Sequence, residues 1–418
     1  MRRRRIGATS LGLAAVVAAT GCRAPSPSFS DVDAGLRGLG VRTVLLRDRV
    51  SLHSPFGVAD SERLADVVDD ERSLVAGALG VADDRPVPVL LRPAPAGEGT
   101  SLVDRVLPSE DGARGFASTS GAVAVSVAVG TPDAPGPPPF VDRGVLRHEL
   151  THALVRRAGL DLEPWLNEAT ATVVAARLRR GDGRLAVDPL PAYLLRARSV
   201  APSVRLDDIL DWRADRSVGA AAADEPGGGE VALYDFAGSL LRFELERGDG
   251  RGLLDVVRDL AARSRSSWRA EEAAWKAWLD ELSLADRLAA QFGSDVEAVR
   301  TEATSRALEA AERFGADALG ARFDAAVVDR LVAAPTDLAA TRLLLTHRAE
   351  RLAPAEIERL EASGAAMARV VALALRKRRG EEVPDDVARA ALDRLAPEEA
   401  GFAFPARRVL LGSRSERP

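Results

Sequence analysis

The stretch Val145-Leu146-Arg147-His148-Glu149-Leu150-Thr151-His152-Ala153-Leu154, followed by Pro164-Trp165-Leu166-Asn167-Glu168, decides how this chain reads. Val145, Leu146, Leu150, Ala153 and Leu154 form an apolar stripe at helical spacing. Asp142 suits the N-cap and Gly159 the C-terminal stop, so a helix is predicted over 143–158. Residues four apart share one face of a helix, which lets the imidazoles of His148 and His152 reach one zinc ion. Glu149 then lies beside the water such an ion acidifies, and its carboxylate can take the proton and pass it to a leaving group.

A catalytic zinc takes three protein ligands and keeps a fourth position open. Glu168 is the candidate for the third. Pro164 suits the first turn of a second helix, predicted over 164–180, and the short link makes the two helices antiparallel neighbours. At ~1.5 Å rise per residue, His152 lies about 10 Å before the end of the first helix and Glu168 about 6 Å after the start of the second. Both side chains therefore reach the same level.

His148-Glu149-Leu150-Thr151-His152 with Trp165-Leu166-Asn167-Glu168 resembles the gluzincin metallopeptidases of the peptidase MA-like group. The resemblance implies zinc, hydrolysis of peptide bonds, and a thermolysin-like fold with a small mixed sheet above the motif helix. Tyr234-Asp235-Phe236-Ala237-Gly238-Ser239-Leu240-Leu241 is similar to the helix whose tyrosine stabilises the oxyanion in aminopeptidase-type members, which implies that role for Tyr234. A buried tyrosine on a packed helix is the alternative. The chain departs from the family at Ala169, where glycine is usual, and at Thr172, where thermolysin-type enzymes place an aspartate that orients a ligand imidazole. Thr172 and Asn167 are left as the residues beside the ligands. No acidic element of the kind that holds a substrate amino terminus follows the strand at 121–129, so the resemblance implies an endopeptidase rather than an exopeptidase.

Outward from the motif, the pattern over 41–130 mixes strands with one helix. Val41–Leu46 and Arg49–His53 read as a short hairpin, and Val87–Leu91 as another strand. A helix capped by Asp60 or Ser61 and stopped by Gly80 carries Leu64, Val67, Val68, Leu74, Val75 and Leu79 on one face. Phe116–Val129 is the clearest β signal, with Val123, Val125, Val127 and Val129 alternating with small residues. The strand Ala122–Val129 is either an edge along which an extended peptide pairs or a core strand. The proline-rich loop 131–139 ends this region. Helices are predicted at 232–247, 252–263 and 268–292, with a flexible loop over Val218–Glu230 and short alanine-rich helices from 295 to about 395. Trp268, Trp275 and Trp278 read as core; His53 and His347 read as surface or loop residues. The fold class is α+β, with an α/β subdomain (31–139), a helical catalytic subdomain (140–294) and an all-α C-terminal region (295–418).

The chain has 418 residues and a formal net charge of −5, with four arginines, Arg2 to Arg5, at its start. Length and composition allow two or three globular domains, and the acidic balance disfavours nucleic acid as a partner. The basic start and the short apolar run Ile6–Thr20 read as a signal peptide over 1–21. Ala19-Thr20-Gly21-Cys22 resembles a bacterial lipobox, and Cys22 is the one cysteine in the chain. The resemblance implies lipidation of Cys22, a tether over 22–30, and an exported protein held at an envelope membrane through the bilayer. The leading expectation is an envelope-anchored zinc metallopeptidase acting on a peptide or protein substrate. Two others stay open: a tethered non-catalytic binding or assembly protein on the same scaffold, and a zinc hydrolase of a non-peptide bond.

Overall fold

A computed structural model of the chain describes residues 43–93, 115–117, 123–128, 140–200, 204–211, 229–248, 250–319 and 323–412. The leader, Cys22, the tether, the proline-rich loop 131–139 and residues 218–228 of the expected flexible loop lie outside the described residues.

The chain is α+β, with one mixed sheet and many helices. Strands β1 (Thr43–Leu46) and β2 (Val50–Ser54) form the expected antiparallel hairpin. Helix α1 (Val58–Leu79) crosses to β3 (Val87–Pro93), which runs parallel to β2. The helix starts at Gly57 rather than at Asp60 or Ser61. Ser61 is instead buried inside it, with its hydroxyl donating to Ser54 Oγ at 2.8 Å. At the other end Gly80 takes φ +69°, the left-handed value that glycine tolerates.

The long β signal resolves into two strands, β4 (Gly115–Ala117) and β5 (Val123–Ala128), which pair antiparallel. Strand β5 also runs parallel to β3 and pairs with the short β6 (Phe140–Val141). Partners on both sides make β5 an interior strand, so the edge reading of Ala122–Val129 is corrected. Beyond β4 no further strand pairs among the described residues. His53 is also corrected: β2 is buried along its whole length, and the histidine is 2% exposed, 3.2 Å from Ser51 Oγ.

Helix α2 (Arg143–Arg157) carries the motif. Asp142 Oδ1 accepts from the backbone N–H groups of Gly144 at 2.8 Å and Val145 at 3.2 Å, as its cap role requires. Helix α3 (Pro164–Ala175) ends five residues before the expected position 180. The Gly181-Asp182-Gly183 turn, with Gly183 at φ +76°, lets β7 (Leu178–Arg179) pair with β8 (Leu185–Ala186) instead. Helices α4 (Ala192–Val200) and α5 (Leu206–Leu210) precede α6 (Gly229–Arg247) and α7 (Leu253–Ala261). The helix expected over 268–292 is two helices, α8 (Arg265–Asp280) and α9 (Leu284–Phe292). Ser283 breaks it by capping α9, its hydroxyl accepting from Asp286 N at 3.2 Å.

The chain divides into two compact units. The first comprises residues 1–177, 183–185 and 203–275, and holds the sheet together with α1, α2, α3, α6 and α7. Helices α1 and α2 pack on the sheet, and α3 packs against both α2 and α6. Trp165 and Trp268 meet edge to face at 5.1 Å, and Trp275 donates to Ser239 Oγ at 3.2 Å, so the expectation of packed tryptophans holds at 268 and 275. Trp278 is only half-buried.

The second unit comprises residues 178–182, 186–202 and 276–418. Beyond α9 its described residues are mostly helical: α10 (Glu297–Phe314), α11 (Phe323–Ala333), α12 (Leu338–Leu343), α13 (Pro354–Ala362), α14 (Ala366–Arg378), α15 (Asp385–Leu392), α16 (Pro397–Ala400) and α17 (Phe404–Leu411) follow. Leu331, Leu344, Met367, Val371 and Leu375 sit in its core. A π-helical turn over Leu344–Arg348 leaves His347 half-buried. Among the described residues no helix is long and apolar enough to cross a membrane.

Candidate metal centre

Helices α2 and α3 bring together the three residues that the sequence singles out as ligands. His148 Nε2 lies 2.9 Å from Glu168 Oε2, and His152 Nε2 lies 3.3 Å from the same oxygen. The two imidazoles meet edge to face with centroids 4.7 Å apart. One ligand atom from each residue falls within 4.8 Å of the other two, and no other such group occurs among the described residues.

Local sequence explains the convergence. Leu146, Leu150, Ala153 and Leu154 are buried, so α2 is held by one stripe while His148 and His152 share a half-buried face. Trp165, Leu166, Ala169 and Val173 are buried on α3 and turn Glu168 toward that face.

These residues fit a zinc ion. Two ligands held 2.0–2.1 Å from zinc at a tetrahedral angle lie about 3.4 Å apart, close to the separations observed here. Two neutral imidazoles and a carboxylate are a donor set that suits zinc. A single carboxylate oxygen facing two ring nitrogens also satisfies both imidazoles poorly by itself, whereas a shared cation would serve all three groups.

The electrostatics follow from burial and proximity. Burial works against the charge on Glu168, but His152 and His148 outweigh it and hold the carboxyl well below the usual carboxylate range. For His152 burial disfavours the charged ring, yet Glu168, Glu149 and the nearby Asn167 amide together push its pKa up. Glu149 is 7% exposed. Its burial pushes its carboxyl above the ordinary value, against the pull of His148 and His152 and with the push of Glu168.

Tyr234, on α6, places its ring 6.0 Å from that of His148. The tyrosine that the family resemblance singled out is thus brought to the ligand cluster. Thr172 is half-buried on α3, and His152 Nδ1 is buried with no hydrogen-bond partner, so neither Thr172 nor Asn167 fixes that ring through Nδ1. Cys22 lies outside the described residues.

Sequence reasoning missed a second cluster, which joins the motif helix to α1 through Arg147, the residue before His148. Glu71 on α1 is fully buried and accepts from Arg147 Nε at 2.5 Å and from Arg143 Nη1 at 2.9 Å. The signal was present: Glu71 stands on the apolar stripe between Val68 and Val75, where an acid implies a buried cationic partner. The chain matches no protein-family model, no curated protein and no solved structure.

Proposed function

We propose that this chain is a zinc-dependent metallopeptidase of the gluzincin kind, acting as an endopeptidase. The observation that carries the reading is the convergence of His148, His152 and Glu168, with the buried carboxyl of Glu149 among them. Zinc held by those three residues would supply Lewis acidity, which polarises a carbonyl and makes water a nucleophile at neutral pH. Glu149 accepts the proton of the attacking water on its carboxylate and returns it to the leaving amine. Burial raises its pKa above the ordinary value, the direction that favours returning the proton to the leaving group. Tyr234 donates its hydroxyl to the oxyanion that forms at the attacked carbonyl.

The mixed sheet packed on the motif helix supports a thermolysin-like architecture for the first unit. Among the described residues no strand pairs with the outer edge of β4, and an extended peptide adding there would suit cleavage within a chain. The basic leader and the lipobox-like Ala19-Thr20-Gly21-Cys22 support export and anchoring in an envelope bilayer through an acylated Cys22. Loss of membrane fractionation in Cys22→Ala tests that part.

The test of the enzyme is a metal analysis of the purified chain with a broad peptide-library digest. Chelator-treated protein and Glu149→Gln are the controls. Cleavage at internal bonds, lost with chelator and in Glu149→Gln while zinc stays bound to the variant, supports the peptidase. One observation favours a second reading: among the described residues no group bonds His152 Nδ1, and a ligand ring without that bond holds metal more weakly. Absence of cleavage at every position of the library would leave a tethered binding or assembly protein, or a hydrolase of a non-peptide bond.

A further inference from the structure

We propose that Glu71 and Arg147 are positioning residues of the metal centre, whose buried ion pair sets the roll of the motif helix against Glu168. The inference rests on the zinc reading above and adds to it two residues outside the ligand set.

One guanidinium joins three elements. Arg147 Nε donates to Glu71 Oε2 at 2.5 Å and Nη2 to Glu71 Oε1 at 3.2 Å, tying α2 to α1. Its Nη1 donates to the backbone carbonyl of Arg177 at 2.7 Å, just beyond the end of α3. The same residue is therefore bonded to the exit of the helix that carries Glu168 and is adjacent in sequence to His148. Arg143, one turn earlier on α2, adds a bond to Glu71 Oε1 at 2.9 Å. Thr151 Oγ1 donates to the Arg147 carbonyl at 2.7 Å, within the turn that runs from His148 to His152.

The geometry makes this clamp matter more for the metal than for packing alone. A side-chain tip stands roughly 6 Å from its helix axis, so a roll of about 10° moves an imidazole by about 1 Å. Zinc sites tolerate departures of only about 0.2 Å from their bond lengths. An apolar stripe leaves a roll of that size less restrained, because the hydrophobic drive itself is non-directional. Bidentate bonds between a guanidinium and a carboxylate do restrain it.

The test uses the full chain and two variants. Arg147→Lys keeps a cation opposite Glu71, but a single ammonium cannot bond both carboxylate oxygens and the Arg177 carbonyl as the guanidinium does. The pair Glu71→Leu with Arg147→Met removes both charges together, so no buried charge is left alone. Zinc affinity is read by chelator competition, ligand geometry by the visible absorption of the cobalt form, and folding by circular dichroism and thermal midpoint. In folded protein, a zinc Kd raised about tenfold or more and an altered cobalt band are expected. A lowered midpoint with unchanged affinity and cobalt spectrum would make the pair purely structural and overturn the inference. Should the paired variant fail to fold, Arg147→Lys decides. If wild-type protein takes up neither metal, the zinc reading itself fails, an outcome distinct from failure of the clamp alone.

Discussion

Tyr234 is where a packing role and a catalytic role are hardest to tell apart, because its ring lies beside His148 in either case. Tyr234→Phe keeps the ring and removes the hydroxyl. An oxyanion donor contributes about 10²–10³ in kcat, so kcat should fall by that factor while the zinc Kd stays put. A fall of less than a few-fold would make the tyrosine a packing residue. The convergence of the candidate ligands was legible because their separation is local: His148 and His152 are one helical turn apart, and a short link returns the chain to them at Glu168. Glu71 and Arg147 were not, because 76 residues separate them and no spacing rule spans that distance. His53 misled for a related reason. Its own strand gives no sign that both faces of β2 are covered.

Among elements, the caps of the motif helix were readable, while the start of α1 and the two-residue strands were not. Asp142 and Gly159 bound the motif helix through backbone chemistry that a single residue supplies. The β7–β8 hairpin has two residues in each strand, too few to show an alternation. The break between α8 and α9 left a trace that a single helix over 268–292 overlooks: Trp275, Leu279 and Leu282 share one helical face, and Leu284 and Leu288 fall on the opposite one.

The end of the motif helix also carries a pH dependence. Arg157 Nη1 donates to Asp83 Oδ2 at 3.2 Å and to the Arg85 carbonyl at 2.7 Å, and its Nη2 reaches the Pro86 carbonyl at 2.8 Å. Burial opposes the charge on Asp83, but hydrogen bonds from Arg85 and Arg157 outweigh it and hold its carboxyl below the ordinary value. A group whose folded pKa is depressed adds stability that is present above its unfolded pKa of ~3.9 and is lost as pH falls through the folded value. Asp83→Asn should therefore be less stable than wild type at pH 7, with the gap closing below about pH 4. Denaturant midpoints across that range check it, and a gap constant with pH would remove Asp83 from the account.

At the scale of the whole molecule, the two units are expected to answer different perturbations. In the second, Arg348 donates to Asp324 through Nε at 2.6 Å and Nη2 at 2.9 Å, and both side chains are buried. Arg348→Met leaves that carboxylate without its guanidinium, at a cost of about 3–5 kcal/mol. Denaturant unfolding measures the loss, and a cost under about 1 kcal/mol would show that Asp324 finds water or another donor instead. All three candidate ligands belong to the first unit, so the zinc affinity of the folded Arg348→Met protein should match wild type. Zinc held by these residues should in turn act on stability by mass action, because the candidate ligands converge only when α2 and α3 are packed. At a free concentration a hundredfold above Kd, the ion stabilises the folded state by about 2.7 kcal/mol. The thermal midpoint should rise by several degrees, at roughly 2–4 °C per kcal/mol. Chelator should reverse the rise, and His148→Ala should abolish it. A midpoint indifferent to zinc in the wild-type chain would mean that the ion has no preference for the folded state, and the three side chains would then be neighbours without a shared metal.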